Sequence, residues 1–297
     1  YLATMKRYFI TILIMCFVFP VHAISSYKAS YDLYAKTDLG NINLGTAEYE
    51  LIVSNNTYFF TSNAKTNKMW SALYDYSIDE MSIGLIKDKA LIGDYYKISE
   101  NEGNLTNNNY EIQMYPNEGY VSLNNEVLVN GFTKSNLKEL SDSELIINAI
   151  GSGNRDEIKF TGSQALDYDI PSYEKDLANR EELIEVLSKP SLEVNSVDIV
   201  DALSVYLHIS NDIQKNLNKK VFIYQVVDKK GITQREFTLK GFETISINNK
   251  DLETIKIICP EFGLIFNISK DHNFMPVMIK KINGKTHYQL ILRDFLG

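Results

Sequence analysis

A period of two marks the chain just after residue 23. Tyr27, Ala29, Tyr31, Leu33 and Ala35 are apolar or aromatic, and most residues between them are polar. Because successive side chains of a β-strand point to opposite faces, this alternation predicts a strand with one buried face. The apolar positions then change parity around a glycine at position 45, which indicates a β-bulge.

Further segments of this kind recur along the chain, separated by short turn sequences. Asn55-Asn56, Asn124-Asn125 and Asn283-Gly284 are dipeptides that favour the tight turns of hairpins. Consecutive strands joined by such turns predict an antiparallel meander, curved or barrel-like so that its edges are hidden. The predicted fold class is therefore mainly β, with one amphipathic helix and a helical insertion.

The amphipathic helix is expected over residues 197–209, with Ser196 as its N-cap and Asp198 in its first turn. Its apolar stripe has the spacing of one helix face and consists of Ile199, Ala202, Leu203, Tyr206 and Leu207. Such a helix would lie on a sheet face or plug the mouth of a barrel.

Four segments follow from these patterns. Residues 1–23 form a predicted signal peptide, 24–130 an N-terminal antiparallel β segment, and 131–195 an insertion of helices and loops. Residues 196–297 contain the helix and a C-terminal antiparallel β segment, which we expect to form one β unit with 24–130. Capping signals at Ser141 to Glu144 and at Asn179, with Pro190 as a stop, support helices in the insertion.

The segment that begins at Met5 has the pattern of a secretory leader. Lys6 and Arg7 precede an uncharged apolar run, and Val21 and Ala23 suit a signal-peptidase cut after Ala23. An uncleaved anchor needs about 20 apolar residues, more than this run provides. A lipoprotein at Cys16 and a buried first helix are less consistent alternatives. We therefore expect export to the periplasm or outer envelope and no membrane span after cleavage.

Charge and cysteine content narrow the classes of partner. The leader holds two basic residues and no acid, so its removal would change the net charge from −8 to −10. An acidic chain is a poor match for phosphate backbones, so we expect no nucleic-acid partner. Cys259 would be the one remaining cysteine, which excludes an intrachain disulfide.

The sequence predicts no catalytic residue, no metal ligand and no cofactor. His208, His272 and His287 lack the spacing of a zinc site. Two carboxylate pairs are possible acid–base candidates: Asp79 with Glu80, and Asp198 with Asp201. Neighbouring residues of a strand point to opposite faces, and Asp198 is explained by helix chemistry, so neither pair predicts an enzyme.

Aromatic residues are the unusual feature, with 19 tyrosines in the chain. Ordinary cross-strand packing in a β core explains many of them. The functional interpretation is an aromatic-lined concavity for a lipid or a glycan. Its candidate residues are Tyr31, Tyr49, Phe60, Trp70 and Tyr206.

Loose motifs of aromatic, glycine and aliphatic residues run along most of the chain outside about 131–195. They comprise Tyr27-x-Ala29-x-Tyr31, Leu44-Gly45-x-Ala47, Tyr58-x-Phe60, Ile78 to Ser82, Asp94 to Tyr96, Val197 to Tyr206, Lys240 to Glu243, Leu264 to Asp271, Met275 to Val277, Asn283-Gly284 and Tyr288 to Leu292. Through them the chain resembles the secreted bacterial family catalogued as domain of unknown function 3108. The resemblance implies an envelope location and a curved all-β sheet that carries a helix, and it implies no activity.

Three functions are consistent with these features. The first is a non-enzymatic envelope protein that binds a hydrophobic or glycan ligand in a curved sheet. The second is a structural or protein-interaction factor for the cell envelope, with 131–195 as its partner surface. A hydrolase of envelope polymers is the third, and it lacks a visible nucleophile–base pair.

Overall fold

The computed structural model describes residues 24–37, 40–71, 75–103, 107–115, 120–128, 133, 138, 199–284 and 286–297. The predicted leader and nearly all of the predicted insertion lie outside these residues. The strands are β1 (Tyr27–Thr37), β2 (Gly40–Ser54), β3 (Thr57–Thr66), β4 (Tyr76–Lys87), β5 (Ala90–Glu102), β6 (Asn107–Tyr115), β7 (Tyr120–Leu123), β8 (Glu126–Val127), β9 (Ile199–Asp201), β10 (Val221–Asp228), β11 (Gly231–Ile247), β12 (Lys250–Cys259), β13 (Leu264–Ser269), β14 (Met275–Asn283) and β15 (Thr286–Leu296). The helices are α1 (Lys68–Ser71), α2 (Val205–Lys215) and a 3-10 helix (Lys270–His272).

All fifteen strands belong to one sheet, in the order β8-β7-β6-β5-β4-β3-β2-β1-β15-β14-β13-β12-β11-β10-β9. It consists of two meanders, β1 to β8 and β10 to β15, which are joined because β1 also pairs with β15. Each neighbouring pair is antiparallel except β9 with β10. The predicted fold class, a mainly antiparallel curved sheet, is thus confirmed.

Local chemistry explains how the meanders form. Two-residue turns with positive φ at both positions match the twist of paired strands, and Asn tolerates that conformation. Asn55 and Asn56 have φ values of 49° and 62° and join β2 to β3. The predicted bulge is also present, since the β1–β2 register shifts opposite Leu33 and Tyr34. Gly45 is required beside it, because a Cβ there would lie 2.0 Å from the Lys65 carbonyl oxygen.

The sheet curls until strands far apart in its order meet. Asp201 lies on β9 at one sheet edge, yet its Oδ2 accepts a hydrogen bond from Ser82 Oγ of β4 at 2.7 Å. From α2, the Asn211 side-chain amide donates to the Lys89 carbonyl oxygen in the β4–β5 turn at 3.0 Å. The helix therefore lies against the concave face and closes one end of the barrel-like sheet.

The helix prediction over residues 197–209 is wrong in its position. Ile199 belongs to β9, where it lies opposite Gln225 of β10. The helix begins at Val205 and continues to Lys215. The cause is Asp201, whose Oδ1 accepts the backbone N–H groups of Leu203 (3.0 Å) and Ser204 (2.7 Å) and so forms the turn that precedes the helix. The proposed cap at Ser196 lies outside the described residues.

Two ends of the concave face can now be distinguished. The plugged end contains the β2–β3, β4–β5 and β11–β12 turns together with the C-terminal half of α2. The open end contains the β1–β2, β10–β11 and β12–β13 connections. Between them lies an aromatic core whose largest fully buried side chains include Tyr31, Tyr58, Tyr96, Phe60, Phe222, Phe237 and Phe266.

Candidate ligand-binding site

Four of the five predicted ligand-binding residues form one aromatic cluster on the concave face. The Tyr49 ring lies 5.1 Å from Tyr31 and 5.9 Å from Phe60, measured between ring centroids. Tyr206 of α2 lies 6.3 Å from Tyr49 and 5.2 Å from Phe266. The strand members are buried, and Tyr206 alone of the four is partly exposed. The cluster therefore forms a packed floor that a ligand could reach through Tyr206.

Trp70, the fifth predicted residue, lies apart from this cluster. It is part of α1, in the connection between β3 and β4 at the rim of the open end. Its indole N–H donates to the Asn43 carbonyl oxygen at 2.9 Å. Asn67 begins the short helix by accepting the backbone N–H of Trp70 at 3.2 Å. Trp70 thus borders the open end but does not line its floor.

Exposure increases from the floor toward the open end on four strands, whereas Ala35 and Cys259 stay buried near the same end. On β1, Tyr31 is buried and Leu33 is partly exposed. The same step occurs on three other strands, from Ser62 to Ala64, from Phe266 to Leu264 and from Leu292 to Leu290. These inward positions lie in register, since Leu33 pairs with Leu290 and Ala64 with Ile78. The open end is therefore a partly solvated apolar ring above an aromatic floor.

Glu80 is a carboxylate that points into this region. Its neighbour Asp79 is exposed on the convex face beside Asn63, whereas Glu80 turns inward and accepts a hydrogen bond from the Tyr96 hydroxyl at 2.7 Å. Burial raises the pKa of Glu80 to about 7, against the hydrogen bonds from Tyr96 and Ser62 that favour its charged form. Glu80 therefore exchanges a proton near neutral pH.

Arg235 of β11 is a buried cation at the same end. Its Nη2 lies 2.7 Å from Asp228 Oδ2, and its guanidinium lies 4.4 Å from the centroid of the Phe262 ring. Its Nε is buried and has no hydrogen-bond partner within the described part of the chain. A buried N–H without an acceptor is unfavourable, so a ligand oxygen that reached this donor would supply a hydrogen bond that the described part of the chain does not.

Tyr206 lies within electrostatic range of both charges. Burial raises the pKa of its hydroxyl above the usual range, the charge of Glu80 raises it further, and the charge of Arg235 opposes this. A carboxyl, a phenol and a guanidinium therefore face the same apolar space. These groups suit a ligand with an apolar body and a polar end.

The plugged end is filled differently. Leu207, Ile209 and Ile213 of α2 are at most 3% exposed and pack into the core. A cavity of about 330 Å³ remains beside the helix. It is lined by Ile24, Ser25, Tyr27, Leu51, Leu207, Ser210, Gln214, Lys270, Asn273, Phe274 and Met275.

The second candidate carboxylate pair, Asp198 with Asp201, includes a residue whose hydrogen bonds stabilise the fold. Asp198 lies outside the described residues. Asp201 is fully buried and, besides the two backbone groups, accepts hydrogen bonds from the hydroxyls of Ser82 and Ser204, each at 2.7 Å.

Across the described ranges, no group of three His, Cys, Asp or Glu side chains is placed to hold a metal ion. None of the described helices is both long enough and apolar enough to span a membrane.

Sequence reasoning missed Glu80 and Arg235. In the sequence Glu80 stands out only as the neighbour of Asp79, and no local pattern marks Arg235. A hint was present in the strand parity, because Glu80 shares the inward parity of Ile78 and Ser82 on β4. A charged residue at an inward position is a marker of a functional or specially solvated site.

Comparisons with known proteins identify no family for this chain. No family model matches the chain, and no curated protein matches it. Among solved structures, it is similar to a beta-barrel-like protein of domain of unknown function DUF1849 from Brucella abortus, with 8% identity and a TM-score of 0.40 over 92% of this chain and 97% of that one. The resemblance to domain of unknown function 3108 stays a prediction.

Proposed function

We propose that this chain is an exported, non-enzymatic envelope protein that binds a small hydrophobic or glycan ligand at the open end of its concave face. The observation that carries the proposal is the stepwise exposure of inward side chains toward that end, from Tyr31 to Leu33 and from Phe266 to Leu264. At the plugged end, α2 covers much of the concave face with Leu207, Ile209 and Ile213, although Val53 and Ile86 stay partly exposed there. The leader-like segment that ends at Ala23 supports export.

The lining favours a ligand with an apolar body and an oxygen-bearing end. Leu33, Ala64, Ile78 and Leu264 supply apolar contacts from four strands. The free Nε of Arg235 offers a donor for an oxygen. A lipid fragment matches this combination more closely than a glycan, whose hydroxyls would lie against aliphatic side chains.

Native mass spectrometry of the full chain purified from its own periplasm tests the proposal, followed by solvent extraction of any bound molecule. We expect a co-purifying amphiphile. Ile78→Arg places a charge in the apolar ring and should abolish its retention. Ile52→Arg is the matched control, because Ile52 is 46% exposed on the convex face. A clean apo mass, or a ligand retained equally by both variants, would overturn the proposal and favour a protein-partner role.

Trp70 provides a second measurement, because it is the single tryptophan of the chain and lies at the rim of the open end. Adding back the extracted molecule should change its fluorescence emission with a saturable dose dependence. Ile78→Arg should lose this response, and Ile52→Arg should keep it.

A further inference from the structure

A second cavity lies where the curled sheet meets itself, and it does not overlap the open end. It has a volume of about 440 Å³. Its walls are the start of β5, the β9–β10 edge, the neighbouring part of β11 and one side of α2. It is lined by Ala90, Leu91, Ile92, Val200, His208, Asp212, Ile223, Tyr224, Gln225 and Gln234. We name it the seam cavity.

His208 is the distinctive group of the seam cavity. The residue is partly exposed, and its ring lies 6.0 Å from the Tyr224 ring in an edge-on arrangement. Its Nε2 is buried and has no hydrogen-bond partner among the residues described. Burial lowers the pKa of His208 to about 4, although the charge of Asp212 opposes this. The imidazole is therefore neutral at pH 7, with one nitrogen as donor and the other as acceptor.

The remaining charges of the cavity are compensated. The Tyr224 hydroxyl donates to Asp212 Oδ2 at 2.9 Å. Lys215 Nζ lies 3.6 Å from Asp212 Oδ1, so the carboxylate also has a counter-ion. Gln225 and Gln234 add neutral amides. A charged ligand would find no uncompensated opposite charge here, which favours a neutral one.

The lining contains as many apolar as polar residues. Ala90, Leu91, Ile92, Val200 and Ile223 form the apolar part. A sugar ring has the matching surface, since its C–H faces are apolar and its edges carry hydroxyls that both donate and accept. A hydroxyl can serve the free nitrogen of a neutral imidazole whichever tautomer is present. The volume lies within the range of roughly 300–1,000 Å³ found for small-molecule sites.

We propose that the seam cavity binds a neutral sugar unit, with His208 and Tyr224 as its hydrogen-bonding residues and Ile92 and Ile223 against the C–H faces of the ring. The site is independent of the proposed ligand at the open end.

Isothermal titration of the full chain with methyl β-D-glucopyranoside, methyl β-D-galactopyranoside and N-acetylglucosamine tests the proposal, with glucuronate and glucosamine as charged comparisons. At least one neutral sugar should bind, and the charged analogues should bind at least about tenfold more weakly. His208→Leu should weaken the neutral sugar by about tenfold or more, and Tyr224→Phe should weaken it less. Ile78→Arg, at the open end, should leave the affinity unchanged.

Circular dichroism and thermal unfolding of each variant establish that it is folded. Saturation-transfer NMR at millimolar sugar detects contacts too weak for calorimetry. Absence of any neutral-sugar contact in both experiments would overturn the proposal. Equal affinity in wild type and His208→Leu would do the same, as would loss of binding in Ile78→Arg with retention in His208→Leu.

Discussion

The two ends of the concave face are built from the same strands but differ in what covers them. At the plugged end, α2 buries its apolar side chains, and Ile213 is fully covered. At the open end, equivalent inward residues such as Ile78 remain partly exposed around Glu80. Strand alternation thus defines a concave face, and the helix divides it into a core and a candidate site.

Among substitutions that test the difference between the two ends, a change at Asp201 should have the largest effect, because Asp201 holds the start of α2 in place. Asp201→Ala leaves the hydroxyls of Ser82 and Ser204 and two backbone N–H groups without their acceptor. We expect the free energy of unfolding to fall by about 4 kcal/mol, measured by urea denaturation at pH 7. Asp201→Asn retains an acceptor and should lose less. A loss of under about 1 kcal/mol in Asp201→Ala would mean that the anchor does not hold the plug.

A matched pair of substitutions compares the ends directly. Ile213→Ala removes a side chain that is 0% exposed in the plug and should cost about 3 kcal/mol. Ile78→Ala removes a partly exposed one at the open end and should cost about 1 kcal/mol. Urea denaturation of both variants at the same pH gives the difference. Equal losses would indicate that the open end is packed as tightly as the plugged end.

The pH dependence of stability should separate Glu80 from His208. The pKa of Glu80 is raised to about 7 on folding, so the folded state holds this proton more tightly and stability falls as pH rises from 4.5 to 7. The pKa of His208 is lowered to about 4, so the unfolded state holds that proton more tightly and stability rises between pH 4 and 6.5. In the wild type the two contributions oppose each other.

Each contribution amounts to about 2.5 kcal/mol between pH 4.5 and 6.5. Glu80→Gln should therefore gain stability as pH rises through this window, relative to wild type, and His208→Gln should lose it. Denaturant midpoints at pH 4.5, 5.5 and 6.5 provide the slopes. If the slope of stability against pH changed in the same direction in both variants, burial would not shift the two pKa values in opposite directions.

The smallest effect is expected at the rim. Trp70→Phe removes one hydrogen bond, to the Asn43 carbonyl oxygen, from a partly exposed side chain and should cost about 1 kcal/mol or less. Thermal denaturation measures the loss. A cost similar to that of Ile213→Ala would place Trp70 in the core rather than on the rim.

Much of the sheet follows from local pattern. Alternation at Tyr27 to Ala35 and the Asn55-Asn56 turn predicted strands and a hairpin that the structure contains. The helix was misplaced because an apolar residue such as Ile199 fits a stripe of helical spacing and a buried strand equally well. What decided between them was the Asp201 carboxylate, which ends the strand and starts the helix by hydrogen bonding.

The candidate site was predictable only in part. Tyr31, Tyr49 and Phe60 come together because β1, β2 and β3 are consecutive strands of a meander. The approach of Tyr206 depends on the curl of the whole sheet. Arg235 reaches the open end through the local β10–β11 hairpin, but its approach to Tyr206 depends on the curl of the whole sheet, which no local pattern encodes.

The central position of β1 in the sheet determines when folding can be completed. Tyr31 of β1 pairs with Leu292 of β15, so this pairing can form only after β15 has been synthesised. A chain that emerges amino-terminus first can form each meander from local hairpins, but one flank of β1 stays unpaired until β15 has been synthesised. Contacts so remote along the chain are closed slowly. During that interval the unpaired edges of β1 and β14 face solvent, so a chaperone that shields them, or rapid synthesis of β15, would govern the yield of folded protein.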